Sequence, residues 1–397
     1  MLLFALAGCL FGIITGLTPG VHVNTLGLIF LGFAYTIDPH YIAVMIISMA
    51  ISHTFFDFIP SIFLGAPEPE TALSVLPGHK LLLEGKGFEA MYLTVIGGLG
   101  AIIATLLFFP FLLLAIPTFY SLSRPYIHII LALIAGVMIL SEPGVRRKAF
   151  GFFVFMLSGL LGIILLNSYV ISSQLILFPI FTGLFGLSSL LISLNRQSEI
   201  PKQQLSTPKI EKGVVISGIL KGLFSGSLVG TLPSIGAAQA TILTQEITRK
   251  KDDREFLISI GAINTIVALF SIVALYTIAK PRSGAAVFVS RTLTEFGFNE
   301  LLLLLAVTLI STGVSVILVL KLMKGAVKHM QRVNYKKLTT AVIVFLLGLT
   351  IFLTGLYGLL VLCVSTAVGV LAPLFGVKRS NLMGVLMVPV ILFFAGL

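Results

Sequence analysis

Four long stretches of the chain carry no charged residue: Met91–Phe119, Phe150–Leu166, Leu301–Leu320 and Ala341–Leu360. At about 1.5 Å per residue, each covers most or all of a hydrocarbon layer about 30 Å thick. A helix buried in a soluble protein would show a polar face, and these blocks have none. They predict membrane-spanning helices.

Lys and Arg collect in the gaps between the apolar runs, at Arg146-Arg147-Lys148, Arg196–Lys212, Arg249–Arg254, Lys321–Lys337 and Lys378-Arg379. Positive loops stay in the cytoplasm. Placing all five there requires an even number of crossings between neighbours. Two spans turning near Asn167-Ser168 satisfy this between Lys148 and Arg196. Spans at about 257–279 and 299–320 satisfy it between Arg254 and Lys321, and two spans turning near Gly355–Gly358 satisfy it between Lys337 and Lys378. The segment 213–248 is basic at both flanks and broken at Pro233, with arms short for a crossing. It predicts a re-entrant hairpin whose tip is Pro233–Gly236. Residues 2–37 share this broken pattern, around Pro19-Gly20, with their flanks outside.

The two broken segments are related by a constant offset of 214 residues, which superimposes Gly12, Gly16 and Pro19 on Gly226, Gly230 and Pro233. The same offset pairs Pro67 with Pro281 and Ala72 with Ala286. Internal duplication is a common plan of secondary transporters. Each half then holds an odd number of full spans, which turns the second half over. The expectation is an all-α integral membrane protein with about ten transmembrane helices, broken re-entrant hairpins and two inverted-topology repeats. The repeats are 1–195 and 213–397, joined by a polar cytoplasmic linker, 196–212, that holds Pro201 and Pro208.

Composition agrees: 57% of residues are hydrophobic and 10% charged, with a net charge of +11. A soluble domain carries roughly 25% charged residues. The positive charge lies in the loops, so topology accounts for it and no nucleic-acid partner is expected. Cys9 and Cys363 sit in apolar stretches and give no disulfide framework or metal site. The N-terminus lacks the basic start of a signal peptide. A multi-pass protein of the cell membrane is expected.

The chemistry concentrates where the helices break. Irregular backbone at membrane depth is tolerated only inside protein or beside water. A proline in the first turn suits a helix start, whose free N–H groups and positive dipole end favour an anion. Two such starts, at Pro19-Gly20 and Pro233–Gly236, could converge on a carboxylate or phosphate. The substrate-binding candidates are therefore Pro19, Gly20, His22, Asn24 and Thr25, then Pro233, Ser234, Gly236 and Gln239. A second pair of broken elements adds Arg282 and Ser283, where the guanidinium could grip an anion. Glu68 and Glu70, in the equivalent acidic stretch, could bind a coupling cation. Asp57 lies inside the apolar run Ile42–Leu64, and an acid there is a functional candidate by default. His53 lies one turn earlier on the same face, so the two could relay a proton. Asn264 and Thr265, in the corresponding span of the second half, could help coordinate Na⁺. The expected coupling ion is H⁺ or Na⁺, with no other cofactor.

The sequence contains no P-loop, no H-E-x-x-H and no G-x-S-x-G. ATP-driven transport and the common hydrolases drop out. An intramembrane enzyme would need His22, His53 and Asp57 to meet, so no enzyme activity is expected.

The run Gly16-Leu-Thr-Pro19-Gly20, the stretch Phe63–Ala72 followed by Lys80 and Glu84–Gly87, and the run Leu232–Ala238 resemble the large permease subunit of tripartite tricarboxylate transporters, the TctA family. The resemblance spans both halves. It implies ion-coupled uptake of carboxylates, with a small membrane subunit and an extracytoplasmic binding protein as partners. The chain departs from the family pattern at Pro67-Glu68 and Pro281-Arg282 (Pro-Gly in the family), at Pro77-Gly78 (Asp-Gly), and at Asn264-Thr265 (Asn-Asn). A polyprenyl-phosphate carrier lipid is the alternative cargo, because a phosphate fits two helix N-termini equally well. A homodimer remains open.

Overall fold

A computed structural model shows an all-helical chain. It describes residues 1–18, 23–32, 36–64, 71, 75–168, 170–171, 173–194, 201–231, 240–241, 252–293, 295–330 and 335–396. In order, the helices of the first half are α1 Leu2–Leu17, α2 Val23–Gly32, α3 Pro39–Phe56, α4 Val75–Leu83, α5 Gly87–Leu107, α6 Phe109–Ser123, α7 Ile127–Leu140, α8 Val145–Leu166, α9 Ser173–Phe181 and α10 Ser188–Leu194. Those of the second half are α11 Lys212–Thr231, α12 Asp253–Ile278, α13 Gly284–Thr292, α14 Phe298–Met330, α15 Tyr335–Leu374 and α16 Gly384–Ala395.

Among the described residues, eight helices are long and apolar enough to cross a membrane, or nine if α6 and α7, bent by 87°, form one span. Eight or nine agrees with the expected all-α membrane protein of about ten spans, and three helices decide the exact figure. α1 and α16 are too short, with 16 and 12 residues. α15 passes as one span although it breaks at Gly355, where φ of +64° needs a glycine. That break lies where the sequence predicts a turn. The arm α11 is longer than its sequence suggests: Lys212–Gly230 meets the length for a crossing on its own. Large apolar side chains such as Leu3, Leu114 and Phe352 are exposed around the outside, as a lipid-facing surface requires.

The helices segregate into two groups, each with its own apolar core. One core joins α1–α6 to α12–α14, with α11 packed against α12 and α5. The other joins α7–α9 to α15 and α16. Both groups therefore draw on both halves of the chain. The cores meet at Val229 and Ile263, which pack with the second group, and at Leu64, which packs with Leu190, Val342 and Leu346.

The 214-residue offset recurs in the packing. α1 lies along α3 as α11 lies along α12. Gly8, Gly12 and Gly16 face Ser48, Ser52 and Phe56, while Gly222, Gly226 and Gly230 face Ala262, Ile266 and Phe270. A methyl group at Gly16 would lie 2.7 Å from the Phe56 Cβ, and one at Gly230 2.5 Å from the Phe270 Cβ. Only glycine lets these backbones approach so closely. The long helices α3 and α12 begin alike. Asp38 accepts the His40 N–H at 2.8 Å, and Asp252 accepts the Arg254 N–H at 2.9 Å. These are N-caps placed 214 residues apart. Across the halves, α12 packs on α5 and α3 packs on α14.

The second group has its own reciprocal contacts, at a different spacing. Gly162 meets Val385 while Gly384 meets Phe155 and Ser158. Correspondingly, Gly369 meets Leu184 while Gly183 meets Leu362 and Ser365. The offset here is 207 for α8 against α15 (162 to 369) and 201 for the helices they touch (183 to 384).

The described part of the linker, from Pro201 on, packs against the turn between α4 and α5. Gln203 accepts the Gly87 N–H at 2.8 Å and donates to the Leu82 carbonyl at 2.8 Å. Gln204 N–H reaches the Gly85 carbonyl at 2.8 Å.

Candidate functional site

α3 and α12 are the most enclosed spans, with 94% and 83% of their apolar windows buried. One comes from each half. Their polar residues meet at the C-terminal end of α3 and midway along α12. α3 ends at Asp57, whose N–H bonds to the His53 carbonyl at 3.0 Å. The chain continues as a π-helical turn, Pro60–Leu64. Such turns are rare and are frequently found at functional sites.

Asp57 is 2% exposed, His53 and Asn264 4%, and Thr265 1%. The Asn264 amide donates to Asp57 Oδ2 at 2.7 Å and reaches the Thr54 carbonyl at 3.4 Å. His53 Nε2 stands 3.9 Å from Asp57 Oδ2, and His53 Nδ1 lies 3.0 Å from the Thr15 hydroxyl on α1. The Thr54 and Thr265 hydroxyls are 3.4 Å apart. A carboxylate and an imidazole buried among apolar side chains are costly unless paired. This cluster pairs them across three helices.

Four sequence candidates therefore come together: His53, Asp57, Asn264 and Thr265. Two residues that sequence reasoning did not single out complete the cluster, Thr15 and Thr54. Thr15 sits between the packing glycines Gly12 and Gly16, so a polar face opposite α3 was its available signal.

Arg282 and Ser283 serve a different place. α12 closes at Ala279 in the left-handed conformation. The buried Ser271 hydroxyl then accepts the Arg282 and Ser283 N–H groups, at 2.7 and 2.6 Å. Ser283 caps α13 by accepting the Ala286 N–H at 3.3 Å. The Arg282 guanidinium lies 4.9 Å from the centre of the Tyr120 ring, on α6. Tyr120 and Ser271 were also not foreseen. Pro19, Gly20, His22, Glu68, Glu70, Pro233, Ser234, Gly236 and Gln239 lie outside the described residues, as do the side chains of Asn24 and Thr25. Their roles stand as expectations.

A ring of ion pairs surrounds the start of α12. Lys80 reaches Asp253 at 2.6 Å, Arg254 reaches Glu89 at 2.6 Å, and Lys221 reaches Glu255 at 2.7 Å. They tie α4, α5 and α11 to one helix end. At the start of α3 the pairs are looser: His40 lies 3.0 Å from Asp38 and 3.8 Å from Glu300. Arg254 and His40 each follow their cap by two residues. Glu89 and Glu300 are each the third residue of their helix.

Comparison with known proteins agrees with this architecture. The tripartite tricarboxylate transporter TctA family matches residues 2–384. An uncharacterized protein of Methanocaldococcus jannaschii is 32% identical over 407 aligned residues, covering 99% of this chain and 98% of its own. No solved structure matches. Neither match supports a lipid-carrier cargo or an enzyme.

Proposed function

Because the chain belongs to the tripartite tricarboxylate transporter TctA family, we propose that it is the large membrane subunit of a secondary carrier for di- or tricarboxylates in the cell membrane. It is a multi-pass membrane protein, and its family implies companion subunits and a binding protein. In this reading the two halves are inverted repeats, and alternating access arises as the two helical groups move against each other. The anion sits between the broken segments at Pro19-Gly20 and Pro233–Gly236, and a cation bound at Asp57 drives its uptake.

One observation carries the reading. The bond from Asn264 to Asp57 joins the two most enclosed helices, one from each half, at a charge that a purely structural core would not need. It lies one residue along from Ile263, where the helical groups meet.

The test is uptake of labelled citrate and smaller dicarboxylates by cells that express the chain with its partner subunits. The native chain should accumulate at least one of them. Asp57→Asn keeps the shape of the side chain and should lower accumulation by tenfold or more, about 1.4 kcal/mol in coupling. Gly20→Leu should abolish uptake while leaving the protein folded. Full accumulation by Asp57→Asn would remove the carboxylate from the mechanism.

A further inference from the structure

We propose that α1, α3 and α14 enclose a file of water molecules, lined by Ser48, Ser311 and Ser315, through which the coupling cation reaches Asp57. The role of the file rests on the carrier reading above, and its existence does not.

Hydroxyl groups inside a membrane helix commonly bond back to a carbonyl one turn earlier. Thr308 and Thr312 of α14 do so, at 2.8 and 2.7 Å. Ser311 and Ser315 on the same helix do not, and neither does Ser48 on α3. All three are fully buried, and among the described residues no hydrogen-bond partner meets their oxygens. A buried polar group left unpaired is costly, and in native proteins such groups are satisfied by protein or by ordered water. A hydroxyl both donates and accepts, which suits water.

The three oxygens belong to one place. Gly8, Gly12 and Gly16 of α1 face Ser48, Ser52 and Phe56 of α3, so the two helices run in the same direction. Glu300 meets His40 at the start of α3, and Ser311 meets Cys9 further along, so α14 runs that way too. Ser311 faces the Cys9 thiol, too weak a group to satisfy it. The Cys9 carbonyl takes the Ser52 hydroxyl at 2.9 Å. Ser48 lies one turn before Ser52, against Gly8, where a methyl group would stand 2.7 Å from the Ser48 Cβ. Ser315 lies one turn beyond Ser311. That is the direction of Thr15, whose hydroxyl is 3.0 Å from His53 Nδ1 in the Asp57 cluster. At the opposite end the Phe4 and Tyr41 rings stack with centres 4.9 Å apart and close the file.

Packing alone does not call for these hydroxyls. The equivalent helices α11, α12 and α5 come together in the same way. They carry Leu223, Ala262 and Ile266 at the positions of Cys9, Ser48 and Ser52. Counted from the helix starts, Gly100 and Ala104 of α5 stand where α14 has Ser311 and Ser315. One copy of the arrangement holds together with apolar residues at all five positions, and the other is polar at the same depth.

Radiolytic hydroxyl-radical footprinting of the full chain in detergent, read by mass spectrometry, tests for the water. Radicals made from bound water oxidise the side chains beside it. Cys9, 2% exposed, is the built-in probe, and Met138, 1% exposed in the other core, is the dry reference. Cys9 should be oxidised despite its burial while Met138 is spared. Ser48→Ala, Ser311→Ala and Ser315→Ala combined should bring Cys9 down to the level of Met138 and leave the melting temperature no lower. In cells with the partner subunits, the same variant should lose carboxylate uptake. Ser311→Ala alone takes its place if the triple variant does not fold. A spared Cys9 in the native chain overturns the proposal, and a lower melting temperature of the folded variant does so by marking a structural role. Native uptake by the variant removes the route and keeps the carrier. Footprints as expected, with no carboxylate taken up by the native chain, remove the carrier and keep the water file.

Discussion

Single residues hold the ends and bends of this fold in place, and their effects can be measured one at a time. Ser271→Ala removes the acceptor of two backbone N–H groups at the α12–α13 turn. Hydrogen bonds inside membranes average roughly 0.6 kcal/mol, so the loss should be about 1 kcal/mol, read as a lower melting temperature. Asp252→Ala uncaps α12 and should cost about 1 kcal/mol by the same measurement. Asp38 adds a pH signature. The His40 N–H holds its carboxyl below the usual carboxylate range. Its contribution is therefore complete above that usual value and fades as the pH falls through the lowered one. Asp38→Asn should melt like the native chain at neutral pH and lose less stability in acid. Asp57 and His53 were legible in the sequence because a charge in an apolar run stands out. Thr15, Thr54 and Ser271 were not, because hydroxyls are common in membrane helices and only the tertiary partner gives one a role.

At the scale of elements, the close helix pairs depend on glycine faces. Gly16→Leu and Gly230→Leu push branched side chains into Phe56 and Phe270. Each should destabilise by about 1–3 kcal/mol or more, and the two should behave alike. Melting curves of both variants check this, and a large difference between them would argue against treating α1–α3 and α11–α12 as equivalents. The first pair of equivalents was readable because its glycines and proline keep one offset. The second group was not, because its offset shifts to 207 and 201, and a search at fixed spacing passes over it. The full length of α11 was not legible either, because Pro233 interrupts the apolar run just beyond it. The turn at Gly355 was readable, because glycines in an apolar run have few other uses.

For the whole molecule, the division into two helical groups makes a prediction about movement. If transport needs the groups to shift, fixing Leu64 to the other group should stop it. Leu64→Cys combined with Leu346→Cys, in a Cys363→Ser background, should lose uptake under oxidant and regain it with reductant. Leu64 packs in the cluster that holds Leu346. Unchanged uptake in the oxidised, cross-linked protein would show that the groups stay together through the cycle.

The mixed parentage of the two groups also bears on how the chain is made. When residues 1–194 have entered the bilayer, neither group is complete. α3 awaits α14, α5 awaits α12, and α8 awaits α16. Contacts between segments so distant in sequence form slowly and leave polar surfaces waiting for partners. The glycine-faced pair α1–α3 can close early, which gives the nascent first half a stable nucleus, and the exposed flanks of Asp57 then become a natural handle for quality control. A gene cut between the halves should yield two fragments that are degraded when expressed singly and rescue each other when expressed together.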